Sequence, residues 1–590
     1  MANGFGSLYV GSSGLRTAQN GINTLSNNLA NLGTAGYVHK KVVYEDTYYN
    51  KFGDASVSAQ QAGLGVAIGD VIHARDIFLG QAYRTQSGRA AFYNAGYDAA
   101  SEVETQLQEM YGQAFQGAIT SLYGAFAEFA KNPSDTVNQN LVIQKSQLFI
   151  SRANGVNDGL REYQMTINTK IKNDVTRVNA LGKDIVKLNK DIQRIEAGDT
   201  DTAMALRDQR DLDLDELSSL ANISYREDPD GTVQVRLEGN EFINGVQTNE
   251  MGIRYDNTTG FAIPYWTGLS DIPNKKYYDV YDIYNVNPIQ GTDSGEIKSL
   301  MLARGDKFGN YTDISDLTPE QYENGISNSI VMNSESELDK LVNTIVTKVN
   351  DLLCPNVNLG TSVKSGNTTI DLTAAGTKIF DPTGKQISLN ADTLVLDTDN
   401  CAVGGDGKLP PQELFTRVGT ERYKKCVVTD GTNSKEIYVY QEEDQHDLSK
   451  SYTLKSLSVN YDLTENPQHL PNLMQNGSVD YTMGESIYKL WEVSDYKLNP
   501  SDNTPTTLAG FYTKFIGELS STGSVYDSTS NSLNGTKCTI ESNRQSVIGV
   551  SSDEELTNMI KYQNAYNASS RYINVVNEMI EYMVTSMFSS

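Results

Sequence analysis

The side chains able to do chemistry are few and scattered. The four histidines, His39, His73, His446 and His469, show no spacing that would gather metal ligands. Gly63-Leu64-Gly65-Val66-Ala67-Ile68-Gly69 has its third glycine one residue late for a dinucleotide fingerprint, and it reads as a turn or a glycine-assisted strand entry. Gly407-Lys408 is followed by Leu409, without the hydroxyl of a phosphate loop, and Gly11-Ser12-Ser13-Gly14 lacks the spacing of a nucleophile elbow. The acidic run from Asp208 to Glu216 lacks the glycine and terminal acid of a calcium loop. Its leucines continue a helical face, so it is expected to be a solvated helix surface. Cys354, Cys401, Cys426 and Cys538 lie far apart with no CxxC pair and read as free thiols. No catalytic, cofactor-binding or metal-ligating residue is expected, and the chain is read as a non-enzyme.

The elements around these residues are better marked than any reaction. Leu8, Leu15, Ile22 and Leu29 recur every seven residues, and Gly11, Ala18, Leu25 and Leu32 follow each by three. This is the a/d pattern of a coiled coil over four heptads. The other face is rich in asparagine, with Arg16 as its one charge, so the helix is expected to be surrounded rather than solvated. The far end mirrors it. Met559, Tyr566, Ile573, Ile580 and Met587 are spaced by seven, with Tyr562, Ser569, Val576 and Met583 three later. Asp553, Glu554 and Glu555 precede them, where acids favour a helix N-terminus. Neither helix has the Lys/Arg-rich face of a membrane-surface helix. Two matching stripes at opposite ends predict that the ends meet.

Between them the period changes repeatedly. Helices are expected at 90–111 and 115–130, a helical hairpin over 137–221 turning near Gly198, and further helices at 334–353 and 507–519. Residues 230–330 read as β, with a tyrosine-rich strand at 277–284, and 356–505 read as short strands broken by Gly, Asn, Asp and Pro. The expected fold is a multidomain α+β chain with a helical coiled-coil stem formed by both termini and inserted β-rich domains. Its expected units are 1–50 with 545–590 (terminal polymerisation domain), 51–229 with 330–355 and 506–544 (helical stem), 230–329 (β-rich) and 356–505 (variable, exposed and β-rich).

Charge follows the same division. The 590 residues carry a net −26, yet the first and last fifty together carry only −2, from six basic and eight acidic residues. All 14 prolines lie between Pro133 and Pro505. This acidic balance argues against nucleic acid as a partner, and no apolar run reaches the 18 residues that would argue for membrane insertion. The start has neither the basic nor the long apolar region of a secretory signal peptide.

The segment Asn28-Leu29-Ala30-Asn31-Leu32-Gly33-Thr34-Ala35-Gly36-Tyr37 resembles the NxANxxTxGY signature of bacterial flagellar axial proteins, the rod, hook and hook-associated proteins. Ser13-Gly14-Leu15-Arg16 and Ala18-Gln19 precede it as in that group, which usually has proline where Ala35 stands. Gly36 can supply a left-handed turn ending the helix, and Tyr37 can anchor the chain beyond it. Val550-Ser551-Ser552-Asp553-Glu554-Glu555-Leu556 and Tyr562-Gln563-Asn564-Ala565-Tyr566-Asn567-Ala568-Ser569 resemble the C-terminal pattern of the same group. Asn132-Pro133-Ser134-Asp135, the long coiled-coil stretch and Leu206-Arg207-Asp208-Gln209-Arg210-Asp211 are similar to the flagellar hook-associated protein 1 family.

The resemblance implies a structural subunit of the hook–filament junction, exported unfolded through the flagellar type III channel and extracellular without a cleaved signal peptide. It further implies as partners an annular homo-oligomer of the chain itself, hook protein and hook-associated protein 3. The exposed apolar stripe of the last helix implies a cytoplasmic export chaperone bound to it. The alternatives are another axial protein, such as hook protein, or a surface enzyme or adhesin displayed on the stem.

Overall fold

The computed structural model describes residues 2–34, 36–47, 49–54, 59–73, 76–108, 115–198, 202–365, 368–374, 376–444 and 446–588. Its helices are α1 (Ala2–Ala30), α2 (Ile77–Gln108), α3 (Phe115–Lys131), α4 (Thr136–Glu196), α5 (Met204–Leu220), α6 (Glu296–Arg304) and the short α7 (Thr312–Ser315) and α8 (Pro319–Glu323). There follow α9 (Ile330–Leu353), α10 (Tyr461–Glu465), α11 (Tyr481–Leu490), α12 (Leu508–Ile548) and α13 (Ser552–Phe588).

The stem is a bundle around α4. Asp135 caps that helix by accepting from Val137 N at 2.9 Å. Ile167, Ile171, Val178, Leu181, Ile185 and Ile192 then bury one face of it. Gly182 lets the helix approach the β region closely, since a Cβ there would meet the Phe242 ring at 2.5 Å. The helical hairpin is present, with α5 returning along α4. The last stem helix is far longer than the 507–519 expected. Residues 520–543 are rich in Ser, Thr, Asn and Gly, but α12 is held along α2. A Cβ on Gly96 would strike the Tyr526 ring at 2.3 Å, Ser530 Oγ donates to Asn94 Oδ1, and Tyr512 Oη donates to Leu107 O at 2.8 Å. Burial against α2 outweighs weak helix propensity there.

Residues 51–54, 59–63 and 66–73, assigned from sequence to the helical stem, are strands instead. β1 (Lys40–Asp46) pairs antiparallel with β4 (Val66–His73), and β2 (Tyr49–Asp54) pairs with β3 (Ala59–Gly63), giving a nested hairpin. The hairpin packs on α1 through Thr17 Oγ1, which donates to Val66 O at 3.2 Å. Residues 223–248 form a four-stranded antiparallel meander, followed by the pair Met251–Tyr255 and Ala262–Trp266. The strand expected at 277–284 is irregular and makes only an isolated bridge from Asp279 to Tyr265.

In 356–505 a six-stranded sheet, which includes Tyr423–Thr429 and Ser434–Tyr440, covers a small core of its own. The later part is helical where strands were expected. α11 docks on α3, with Tyr488 stacked on Tyr123 at 5.5 Å. Asn350 of α9 clamps the module by donating to Phe415 O at 2.7 Å and accepting from Leu414 N and Phe415 N at 3.1 Å.

Candidate functional site

The two terminal helices form an antiparallel pair. A Cβ on Gly11 would meet Ile573 Cγ1 at 2.6 Å, one on Gly14 would meet Ser569 Oγ at 2.8 Å, and one on Gly21 would meet the Tyr562 ring at 3.2 Å. Rising positions on α1 thus face falling positions on α13. Gly11, Ala18, Gly21, Leu25 and Asn28 are the buried positions along the contact. Gly11, Ala18 and Leu25 belong to the expected stripe, whereas Gly21 and Asn28 do not, so the contact keeps one row of that stripe and turns away from the other. Leu8, Leu15, Ile22 and Leu29 flank it and are only half-buried. The reason is steric: Gly11, Gly14 and Gly21 let the backbones approach where a side chain would strike Ile573, Ser569 or Tyr562.

On α13 the stripe is the heptad one. Val576 is buried, and Met559, Tyr562, Tyr566, Ser569, Ile573 and Ile580 are half-buried. Two expected stripe residues do not join the contact. Leu32 lies beyond the end of α1 in a turn and is 52% exposed, and Met583 is 46% exposed. The side chain of Met587, like Ala35, lies outside the described residues. Tyr572, Val575, Met579 and Tyr582 form an exposed apolar row beside the contact stripe of α13, and Tyr572 borders Gly11 of α1.

The end of the pair is locked by a polar cluster. Asn28 is fully buried and donates from Nδ2 to Glu555 Oε2 at 2.9 Å and to Lys40 O at 3.0 Å. Its Oδ1 accepts from Tyr37 Oη at 2.9 Å and from Lys40 N at 3.2 Å. The Glu555 carboxylate, also buried, meets His39 Nε2 through Oε1 at 2.9 Å. Burial first, then the charges of Asp208 and Glu555, pushes the Tyr37 phenol up to about 12, so it stays a donor at neutral pH.

Of the motif residues, Asn28, Tyr37 and Glu555 converge. Ala30, Thr34, Glu554 and Gln563 are exposed, and Asn31 caps its own turn by donating to Asn27 O at 2.9 Å. Gly36 has φ +76° and packs against Leu212, so it supplies the left-handed turn and seats the loop on α5. His39 and Lys40, two to three residues beyond the motif tyrosine, complete the cluster. Their sequence signal is only their proximity to Tyr37.

Below the cluster, the acidic run of α5 is not a solvated surface. Asp208, Arg210 and Asp213 are buried. Arg84 pairs with Asp215 at 2.7 Å and Asp211 at 3.1 Å, and Arg544 pairs with Asp215 at 2.7 Å, tying α2, α5 and α12 together. Val38 N reaches Asp208 Oδ2 at 3.5 Å and His39 N donates to Ile548 O at 2.8 Å, so the linkers into the terminal pair are seated on this charged base. Arg210 pairs with Glu227 at 2.8 Å, and Asp213 accepts from Gln209 Nε2 at 3.1 Å. Among the described residues no group of three or more His, Cys, Asp or Glu could hold a metal, and no helix is long and apolar enough to cross a membrane.

Three family models match the chain: flagella basal body rod protein over 8–37, flagellar hook-associated protein FlgK helical domain over 100–363, and flagellar basal body rod FlgEFG protein C-terminal over 542–586. The first and last coincide with the two helices that pair. "Flagellar hook-associated protein 1" of Bacillus subtilis is 24% identical, covering 100% of this chain and 99% of that protein. From end to end the chain is similar to proteins named flagellar hook-associated protein 1. The Salmonella typhimurium protein of the same name is 21% identical over 96% of this chain and 97% of its own length. A solved structure described as the flagellar hook junction protein FlgK from Burkholderia pseudomallei aligns with TM-score 0.46 at 13% identity, over 79% of this chain and 100% of that one. Measured against the hook-associated protein 1 family, the paired termini carry the axial-protein signatures and the α4 bundle carries the family's own.

Proposed function

We infer that this chain is a structural subunit of the bacterial flagellum that forms the junction between hook and filament and is needed for filament assembly. The carrying observation is that relatives named hook-associated protein 1 align with it from end to end, while its two ends pair into one helical unit. In this reading the terminal unit, α1 with its hairpin and α13, is the polymerising part, and the α4 bundle is the stem. Residues 230–329 and 356–505 are modules carried outward, the latter variable and exposed. The subunit forms a ring with copies of itself, touching hook protein on one side and hook-associated protein 3 on the other. It works outside the cell and leaves without a cleaved signal peptide. Before export a cytoplasmic chaperone covers the apolar row of α13.

Deleting the gene is expected to give cells that bear hooks and release flagellin monomer but grow no filament. Cells lacking hooks would instead identify another axial protein. Leu25→Asp puts a charge into the buried α1–α13 contact and is expected to abolish motility while stem and outer modules keep their fold by circular dichroism. A motile Leu25→Asp strain would refute the role given to the paired helices. Loss of motility together with normal filaments would move the defect elsewhere.

A further inference from the structure

In this strongly acidic chain one concave site is basic. A cavity of about 540 Å³ opens between α4, the 256–260 turn, the loop 305–313 and the 446–455 turn of the outer module. Arg161, Lys307, Lys455 and His446 line it. The acids on its wall are already engaged. Asp313 holds Lys307 at 2.5 Å and also accepts from Asn310, and Asp339 accepts from Tyr311 N at 3.0 Å and Leu454 N at 2.8 Å. Lys455 has no ion-pair partner among the described residues.

Two further groups face the cavity. Asn157 lines it and is 5% exposed. One turn along the same face of α4, Arg161 Nε is buried and without a hydrogen-bond partner. Glu335 lies 3.9 Å from Arg161, and burial raises that carboxyl to about 8, so at pH 7 the negative charge facing the guanidinium comes from Asp339 on the same wall. Arg161 is held in place by the Phe308 ring, 5.1 Å from its centre, and Phe308 forms part of the wall.

We propose that this cavity is a binding site for an acidic saccharide. The carboxylate sits against Arg161 and Lys455, the Asn157 amide takes a ring hydroxyl, and an apolar sugar face rests on Phe308. The volume suits one or two sugar units. A free phosphate or an acidic side chain would satisfy the cations, but it would use neither the aromatic wall nor the Asn157 amide.

The test is calorimetric titration of the purified full chain with D-glucuronate, D-glucose, inorganic phosphate and a Glu-rich peptide. Glucuronate is expected to bind at least about tenfold more tightly than the other three. Lys455→Glu, at an exposed turn position, is expected to weaken glucuronate about tenfold without changing the melting temperature. Asn157→Ala is expected to narrow the difference between glucuronate and phosphate. No glucuronate binding overturns the proposal, as does phosphate or peptide binding equally well. Glucuronate binding unaffected by Lys455→Glu overturns the placement.

Discussion

The Asn28–Glu555 contact gives a quantitative test of the paired termini. Asn28→Ala removes four hydrogen bonds at a fully buried site, one of them to a carboxylate. At about 1 kcal/mol for each neutral bond and 1.5–3 for the charged one, less what water regains, the expected cost is about 3–5 kcal/mol. Glu555→Ala removes the charged acceptor from Asn28 and His39 and is expected to cost about 2–4 kcal/mol. The two changes share one bond, so the double variant should fall short of the sum by about 1.5–3 kcal/mol. Hydrogen exchange of α1 amides, read by mass spectrometry on the full chain, reports the stability of this unit apart from the stem. Coupling within 0.5 kcal/mol of zero would mean that the contact does not lock the helices, and the account of the cluster would fail.

Gly36→Ala puts a side chain on a left-handed residue and against Leu212. It is expected to cost about 1–2 kcal/mol and to speed proteolysis within 31–39; an unchanged cleavage rate would count against the seat on α5. Burial raises Glu335 to about 8, Glu337 and Glu413 to about 7 and Asp339 to about 6. A carboxyl raised on folding binds its proton more tightly in the native state. The stability it contributes is therefore full below the unfolded value near 4 and is lost as pH rises through the folded value. The melting temperature is expected to fall between pH 5 and pH 8.5, and a rise over that interval would contradict these assignments. Cys354, Cys401 and Cys426 are buried and Cys538 is exposed, so a thiol reagent should label one cysteine in the native chain and four after denaturation; more than one in the native chain would place a thiol wrongly.

The elements that were readable in advance carry strong periodicity or capping. These include the α4–α5 hairpin, the heptads of α13 and the helix ending at Leu353. Three features were not readable, each for a physical reason. Part of the α1 contact is made by Gly14 and Gly21, off the heptad positions, which bury no side chain and so leave no hydrophobic signal. The second half of α12 is a weak helix former that exists because α2 lies beside it. The charges of α5 look solvated in sequence because ion pairing to Arg84 and Arg544 is non-local. At the site, the signature picks out Asn28, Tyr37 and Glu555 but not His39, whose role depends on a glutamate 516 residues away.

That separation has a consequence for synthesis. Asn28 and Glu555 lie 527 residues apart, so the terminal pair cannot close until nearly the whole polypeptide has been made. A chain broken off before α12 lacks both the stem helix that lies along α2 and a partner for its first helix. Closing the pair thus acts as a length check: only a finished molecule acquires the unit by which it would be added to a growing structure.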